Sequence, residues 1–470
     1  MTASTIPLLL LIAFLWWRTK GELLPIIVFT AIFDAASALN LGGTGLPPWI
    51  FALAICLPLK VLTGTLNTKK IPGLNRGAYY TLLLFVGYAI FSSFVFPFLF
   101  HGIPVSNARN GLNFPLAWTQ SNFSQSSFLL CSLVVFLLAL HSTREQMRNA
   151  VKWYVRSCIC IAFFSMYQLA NAVLHIPYPS AILYTNPTHV IYDAYKIAGL
   201  WRLNSTLNEA SEAAFYMGPG LALLSWELVT HRIRRQTLAS FLLVLVAIVL
   251  TVSTTGYAIL GTIAIGGIFF AARRTFGKRG VAPLKLVLLV GLVTTIVPLL
   301  MLTNFGPTVG KVFNSVFINK VDSDSYRERS LWNDLAMQSA KDSYYMGAGW
   351  GSVRASSFLC ALLGAVGIPG TLLFFYFLLQ VARPAFRPHR YARFDLYDRC
   401  LFAIAVMMVA LALAGADPVE PLIWMLFGVA TAAKPRNGQA RIGQTTMGQT
   451  RIAKPAFART RTLVRPHIRS

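Results

Sequence analysis

Acidic residues are scarce. The chain has 16 Asp and Glu in 470 positions, against 41 Lys and Arg. Charged side chains of all kinds make up 12% of it, about half the share of an ordinary soluble domain. Such a chain is neither disordered nor a water-soluble nucleic-acid binder. The formal charge of +25 would suggest nucleic acid only if the basic residues formed a patch on a soluble domain. Cysteine is also sparse. Cys56, Cys131, Cys158, Cys160, Cys360 and Cys400 lie in or beside apolar runs with no CxxC spacing. They read as small core residues, not as a disulfide scaffold or a metal set. Three motifs are missing as well. No GxxxxGK[ST], no strand-linked GxGxxG and no HExxH occurs, which argues against ATP-driven transport, dinucleotide chemistry and a zinc hydrolase.

What is abundant is apolar sequence, 56% of the chain. A membrane span needs roughly 20 apolar residues. Segments of that kind fall near 5–17, 22–40, 48–64, 77–100, 123–141, 151–174, 209–230, 236–254, 256–272, 281–303, 357–381, 400–416 and 420–433. The expectation is an all-α polytopic integral membrane protein of about 12–13 spans over residues 1–433. The first segment has neither the basic start nor the small-residue cleavage site of a signal peptide. Basic clusters follow the odd-numbered segments: Arg18 and Lys20, Lys69 to Arg76, Arg144 to Arg156, Arg232 to Arg235, Arg273 to Arg279, Arg383 to Arg399, and the tail. The positive-inside rule puts all of these in the cytoplasm. The tail, 434–470, holds nine Lys or Arg and no acid. It is expected to be disordered and to rest on anionic lipid heads.

Two long loops are then expected outside, 175–208 and 304–356. The second carries Asp322, Asp324, Arg327, Glu328, Arg329, Asp334, Lys341 and Arg354. Within it, 329–342 reads as an amphipathic helix on the membrane surface, with Leu331, Trp332, Leu335, Ala336 and Ala340 on one face. Arg327 and Arg329 would stand at its N-terminus, where the helix dipole already favours an anion. Two guanidiniums there can grip a diphosphate in bidentate geometry, or pair with Glu328, Asp324 and lipid phosphates. The run Gly347-Ala348-Gly349-Trp350-Gly351-Ser352 permits a tight turn and close approach of a ligand. Gly364-Ala365-Val366-Gly367-Ile368-Pro369-Gly370 lets a span kink or pack closely. Ser253, Thr254 and Thr255 form a hydroxyl-rich outer turn that suits a phosphate or sugar, or simply its own helix ends. Asp34 is the carboxylate set well inside an apolar run, near its outer end, and either serves function or reaches the interface. None of the histidines stands in a metal-ligand spacing, and no metal is expected.

Three stretches resemble the bacterial O-antigen ligase and Wzy-type polymerase superfamily. Arg202 with Leu207-Asn208-Glu209-Ala210-Ser211 is similar to its outer-loop R…F-x-E-P-S stretch, with Ala210 where proline is common. Ser253-Thr254-Thr255-Gly256 is similar to its S-x-(S/T)-G turn. Arg327 or Arg329, Trp332, Gly347-x-Gly349-x-Gly351-Ser352 and Gly367-Ile368-x-Gly370 are similar to the signature of its large periplasmic loop. The resemblance implies a multi-pass protein of the bacterial inner membrane, folded like a lipid-dependent glycosyltransferase. It implies a periplasmic site, an undecaprenyl-diphosphate-linked oligosaccharide as substrate, and no cofactor. The resemblance gives Arg202 and either Arg327 or Arg329 to the diphosphate; Arg354, in the same outer loop, is a further candidate for it. Ser253, Thr254, Thr255, Trp332 and Ser356 would meet substrate. The resemblance leaves the general base open; Glu209, which faces out and lies seven residues from Arg202, is the candidate, acting with Arg202. Polymerases of this kind commonly work with a chain-length regulator protein. Ligases commonly show a histidine where Ser356 and Ser357 stand here, so this form resembles the polymerases more. The ligase remains the alternative. A lipid-linked oligosaccharide flippase is the alternative of another class, though it should show internal repeats and charge along its spans.

Overall fold

The computed structural model describes residues 1–41, 43–64, 74–107, 111–191, 195–197, 200–230, 233–275, 324–386, 396–414 and 419–432. The expected segment 281–303, the first part of the long loop 304–356 and the basic tail 434–470 lie outside them.

Every apolar segment inside the described residues is helical in whole or part. In order these are α1 (Thr5–Arg18), α2 (Leu23–Thr30), α3 (Pro48–Leu62), α4 (Arg76–Leu99), α5 (Gln120–His141), α6 (Arg144–Leu174), the single turn α7 (Ser180–Leu183), α8 (Ala210–Thr230), α9 (Arg235–Leu250) and α10 (Thr254–Thr275). Within the second long loop lies α11 (Asp324–Asp342), and after it come α12 (Phe358–Ala382), α13 (Leu396–Ala414) and α14 (Pro421–Ala432). Among the described residues, five stretches are long and apolar enough to cross a membrane: Arg76–Leu99, Gln120–His141, Arg144–Leu174, Phe358–Phe386 and Leu396–Leu413. The described chain is thus mostly helical, as an all-α membrane protein requires. Inside a bilayer the backbone must satisfy its own hydrogen bonds, and helices do so.

The helix starts follow local rules. Pro48 opens α3, at a position where the missing N–H costs nothing. Thr143 and Gln146 form a capping box at α6: Gln146 N–H donates to Thr143 Oγ1 at 3.3 Å, and Thr143 N–H donates to Gln146 Oε1 at 2.9 Å. Thr119 and Asn122 do the same for α5.

Two expectations change. The segment 22–40 is not one span. Its helix ends in a 3-10 turn, Ala31–Phe33, and Asp34 follows. Hydroxyls of neighbouring segments explain the early stop, because they satisfy carbonyls that a longer helix would have used. Thr206 Oγ1 donates to Ile32 O at 2.5 Å, and Thr5 Oγ1 donates to Ala38 O at 2.6 Å. The loops are also not free of strand. Three small antiparallel hairpins occur among the described residues. They pair β1 (Leu39–Leu41) with β2 (Thr44–Leu46), β3 (Pro104–Asn107) with β4 (Gly111–Pro115), and β5 (Tyr195–Ile197) with β6 (Leu200–Arg202).

The helices pack as a bundle with two distinct ends. The core runs from Leu15 through Phe136, Tyr154 and Phe215 to Trp424. One end joins Asn149 to Glu22 (2.5 Å), Asn75 to the Gln380 carbonyl (2.7 Å) and Arg399 to Glu227 (3.4 Å). The other end gathers the residues after α2, the loop before α8, the α9–α10 turn, α11 and the start of α14. All six cysteines are free.

Candidate functional site

The second end holds the candidate site, and its frame is the broken helix α12. Gly367 sits at φ 63° inside that helix, and Pro369 has no N–H to give Ala365 O. Two carbonyls would be stranded. The glycine turn supplies the missing donors: Ala348 N–H reaches Gly364 O at 2.8 Å and Gly349 N–H reaches Ala365 O at 2.9 Å. In return Ile368 N–H donates to Tyr345 O at 2.9 Å. Gly349 itself is left-handed at φ +104°, and a Cβ there would stand 2.8 Å from Ser92 O. These glycines therefore knit the turn to α12 and α4. Asn122 completes the frame, donating from Nδ2 to Trp350 O at 3.0 Å and to Ser352 Oγ at 2.7 Å.

Helix α11 starts earlier than the expected 329–342. It begins at Asp324, so Arg327 and Arg329 lie within its first two turns, not ahead of its first N–H groups. The dipole argument for an anion at their position is weakened accordingly. Its inner face is narrower than expected too. Ala336, Ser339 and Ala340 are buried, while Leu331 is exposed. The helix packs on α12 and β3, and Ser339 Oγ donates to Pro104 O at 2.9 Å. The buried stripe thus meets protein, and Leu331 is left outside it.

The structure brings together two of the expected residues from different loops. Arg329 Nη2 lies 3.2 Å from Glu209 Oε2, both side chains being about two-thirds buried or more. Ser211 Oγ donates to the same carboxylate oxygen at 2.8 Å. Arg354 stacks on Trp332, its Cζ 3.8 Å from the ring centroid. Its backbone is fixed by Ser106, with Arg354 N–H donating to Ser106 O at 2.8 Å. Ser356 and Ser357 are anchored through their backbone: both N–H groups donate to Asn333 Oδ1 at 2.9 Å. Arg327 is exposed. Arg202 ends β6 and is half-buried. The next residue, Leu203, donates to Leu250 O at 3.2 Å, which sets the loop against α9.

The hydroxyl turn is used locally. Ser253 is buried, and its Oγ accepts from Gly256 N–H at 3.0 Å, capping α10. Thr255 is buried, while Thr254 is half-buried at the helix start. Of the two uses foreseen for Ser253, service to its own helix end is the one the geometry displays.

The loop before α8 is held firmly. Gln168 Nε2 donates to Asn204 Oδ1 at 2.6 Å, and Ser205 N–H donates to Gln168 Oε1 at 2.9 Å. Tyr184 OH donates to Ser205 O at 2.7 Å. Asn208 and Glu209 are presented from this rigid base.

Sequence reasoning missed one grouping. Asp34, Glu212 and Glu420 each place a carboxylate oxygen within 4.8 Å of the others. Asn208 ties two of them: its Nδ2 donates to Asp34 Oδ2 and its N–H to Glu212 Oε2, both at 3.2 Å. Tyr216 OH donates to Glu420 Oε2, and His189 Nε2 lies 3.6 Å from Asp34 Oδ2. A signal was present. The three acids stand at the end of the second segment and the starts of the seventh and thirteenth, all on the same side by alternation.

An apolar groove of about 630 Å³ runs along α4 and α12, lined by Tyr80, Leu84, Tyr88, Phe91 and Leu373. Tyr88 OH donates to Met346 O at 3.3 Å, so the groove adjoins the glycine turn. In comparisons with known proteins, no family model and no curated protein matches the sequence.

Proposed function

We propose that this protein polymerises lipid-linked polysaccharide repeat units at the periplasmic face of the bacterial inner membrane. The single observation that carries the reading is the Arg329–Glu209 pair, which joins the two loops that the sequence resemblance picked out. The growing glycan sits on undecaprenyl diphosphate. A hydroxyl of a new lipid-linked repeat attacks its anomeric carbon. A glycosidic C–O bond forms, the anomeric C–O bond to phosphate breaks, and undecaprenyl diphosphate leaves with the bond's electron pair. One displacement inverts the anomeric centre.

Arg329 and Arg202, with Arg327 and Arg354 on the approach, stabilise the charge growing on the diphosphate, the kind of electrostatic help that usually dominates. Arriving diphosphate draws Arg329 away from Glu209. That frees the carboxylate to take the attacking hydroxyl's proton. Trp332 and Ser356 border the sugar, with Thr254 beside it. The lipid tail lies in the groove along α4 and α12. A phosphate already activates the leaving group, so the displacement asks for no cofactor on chemical grounds.

The test is deletion of the gene in its host, followed by gel analysis of surface and lipid-linked glycans. Collapse to single repeat units, rescued by wild type and not by Arg329→Ala, supports the polymerase. Long polymer stranded on undecaprenyl diphosphate makes the protein a ligase. Single repeats trapped on the cytoplasmic leaflet make it a flippase.

A further inference from the structure

We infer that Asp34, Glu212, Glu420 and the Asn208 carboxamide form a binding site for one hard divalent cation of about the size of Ca²⁺. This inference is independent of the glycan reading. The ligand set is drawn from three places in the chain: the turn after α2, the loop and first turn of α8, and the residue before α14. Asp34 is 6% and Glu420 9% exposed. Three carboxylates this close and this well shielded cannot all keep their charge without a counter-ion or protons. His189, half-exposed beside Asp34, offers at most one positive charge. Arg329 is engaged with Glu209.

The second observation is Asn208. Its side chain is 6% exposed, and its Oδ1 has no hydrogen-bond partner among the described residues. Its Nδ2 is already committed to Asp34, which fixes the amide at the cluster. A buried carbonyl oxygen without a donor is costly, and a cation removes that cost. The donors are then all oxygens, three carboxylates and one amide. That set favours Ca²⁺, Mn²⁺ or Mg²⁺ over the softer transition metals. Oxygens about 2.4 Å from a Ca²⁺ ion lie at most roughly 4.8 Å apart across it, so carboxylate oxygens within 4.8 Å of one another can share that ion. Glu212 is half-buried, which leaves a route from solvent and room for water ligands. The ion would lock the start of α8 and, with it, the neighbouring Glu209.

The full chain, purified in detergent and stripped with chelator, is titrated with Mn²⁺ and followed by electron paramagnetic resonance. The expected result is one saturable Mn²⁺ per chain, displaced by Ca²⁺, together with a rise in Tm on adding Ca²⁺. Asp34→Asn and Glu420→Gln should each weaken binding at least about tenfold, and Asp334→Asn, an exposed acid on α11, should not. If those buried variants do not fold, Glu212→Gln serves in their place. No saturable Mn²⁺ in the wild type would overturn the inference and leave the acids sharing protons. Binding that survives Asp34→Asn, Glu420→Gln and Glu212→Gln would overturn it equally.

Discussion

The stretches 343–357 and 204–212 look alike in sequence: both are rich in small residues and both lead into a long helix. They are built for different purposes. In the first, the polar groups serve the fold. Gly349 and Ala348 repair the break in α12, and Asn333 takes the N–H groups of Ser356 and Ser357. In the second, hydrogen bonds hold the backbone at Asn204 and Ser205, while Glu209 and Glu212 extend toward Arg329 and Asp34. The backbone of the first stretch is scaffold, and the second presents two carboxylates from a backbone held elsewhere.

Substitutions in the two stretches and in the residues they contact should separate accordingly. The largest effect is expected from Glu209→Gln and Arg329→Ala. Under the proposed mechanism each cuts polymer formation by about 10²–10³-fold. The loss of stability should be small beside the loss of activity, because both side chains keep some contact with solvent. Polymer length on gels, read beside Tm, checks both halves. Gly349→Ala should do the reverse. Its backbone is left-handed and its Cβ would meet Ser92 O, so about 1–3 kcal/mol of stability should be lost. Gly87→Ala is the control, since a Cβ there meets nothing within 4 Å.

Smaller effects sharpen the contrast. Asn333→Ala strands two backbone N–H groups and should lower stability by about 1–3 kcal/mol. Asn333→Asp keeps the acceptor and should stay near wild type in thermal unfolding. Trp332→Leu removes the ring under Arg354, and about 0.5–1 kcal/mol should go with it. If its polymer yield fell far more than its stability, the ring would belong to the charged region as well.

Much of this architecture could be read from hydropathy. The apolar runs locate the described helices because each must cover its backbone with itself. The run 22–40 misleads because Ala35, Ala36, Ala38 and Leu39 look membrane-like, while Thr206 and Thr5 hydroxyls take the carbonyls of Ile32 and Ala38 that a longer helix would have used. The hairpins are too short to show an alternating pattern. The start of α11 is hidden by its charge, since Asp324 to Ser330 offers no apolar face. At the site, Arg329 and Glu209 were each visible from the sequence. Their pairing was not, being a contact between loops more than a hundred residues apart. The cluster of Asp34, Glu212 and Glu420 depends likewise on three helix ends meeting, which only the fold decides.

The most direct measurement uses purified protein in proteoliposomes with a lipid-linked single repeat unit. Product length and released undecaprenyl diphosphate are read together, for wild type and for Arg329→Ala. The account expects a ladder of products from wild type, one undecaprenyl diphosphate released per new linkage, and neither signal from Arg329→Ala. A ladder from Arg329→Ala equal to that of wild type, or no lipid released as chains grow, would contradict it.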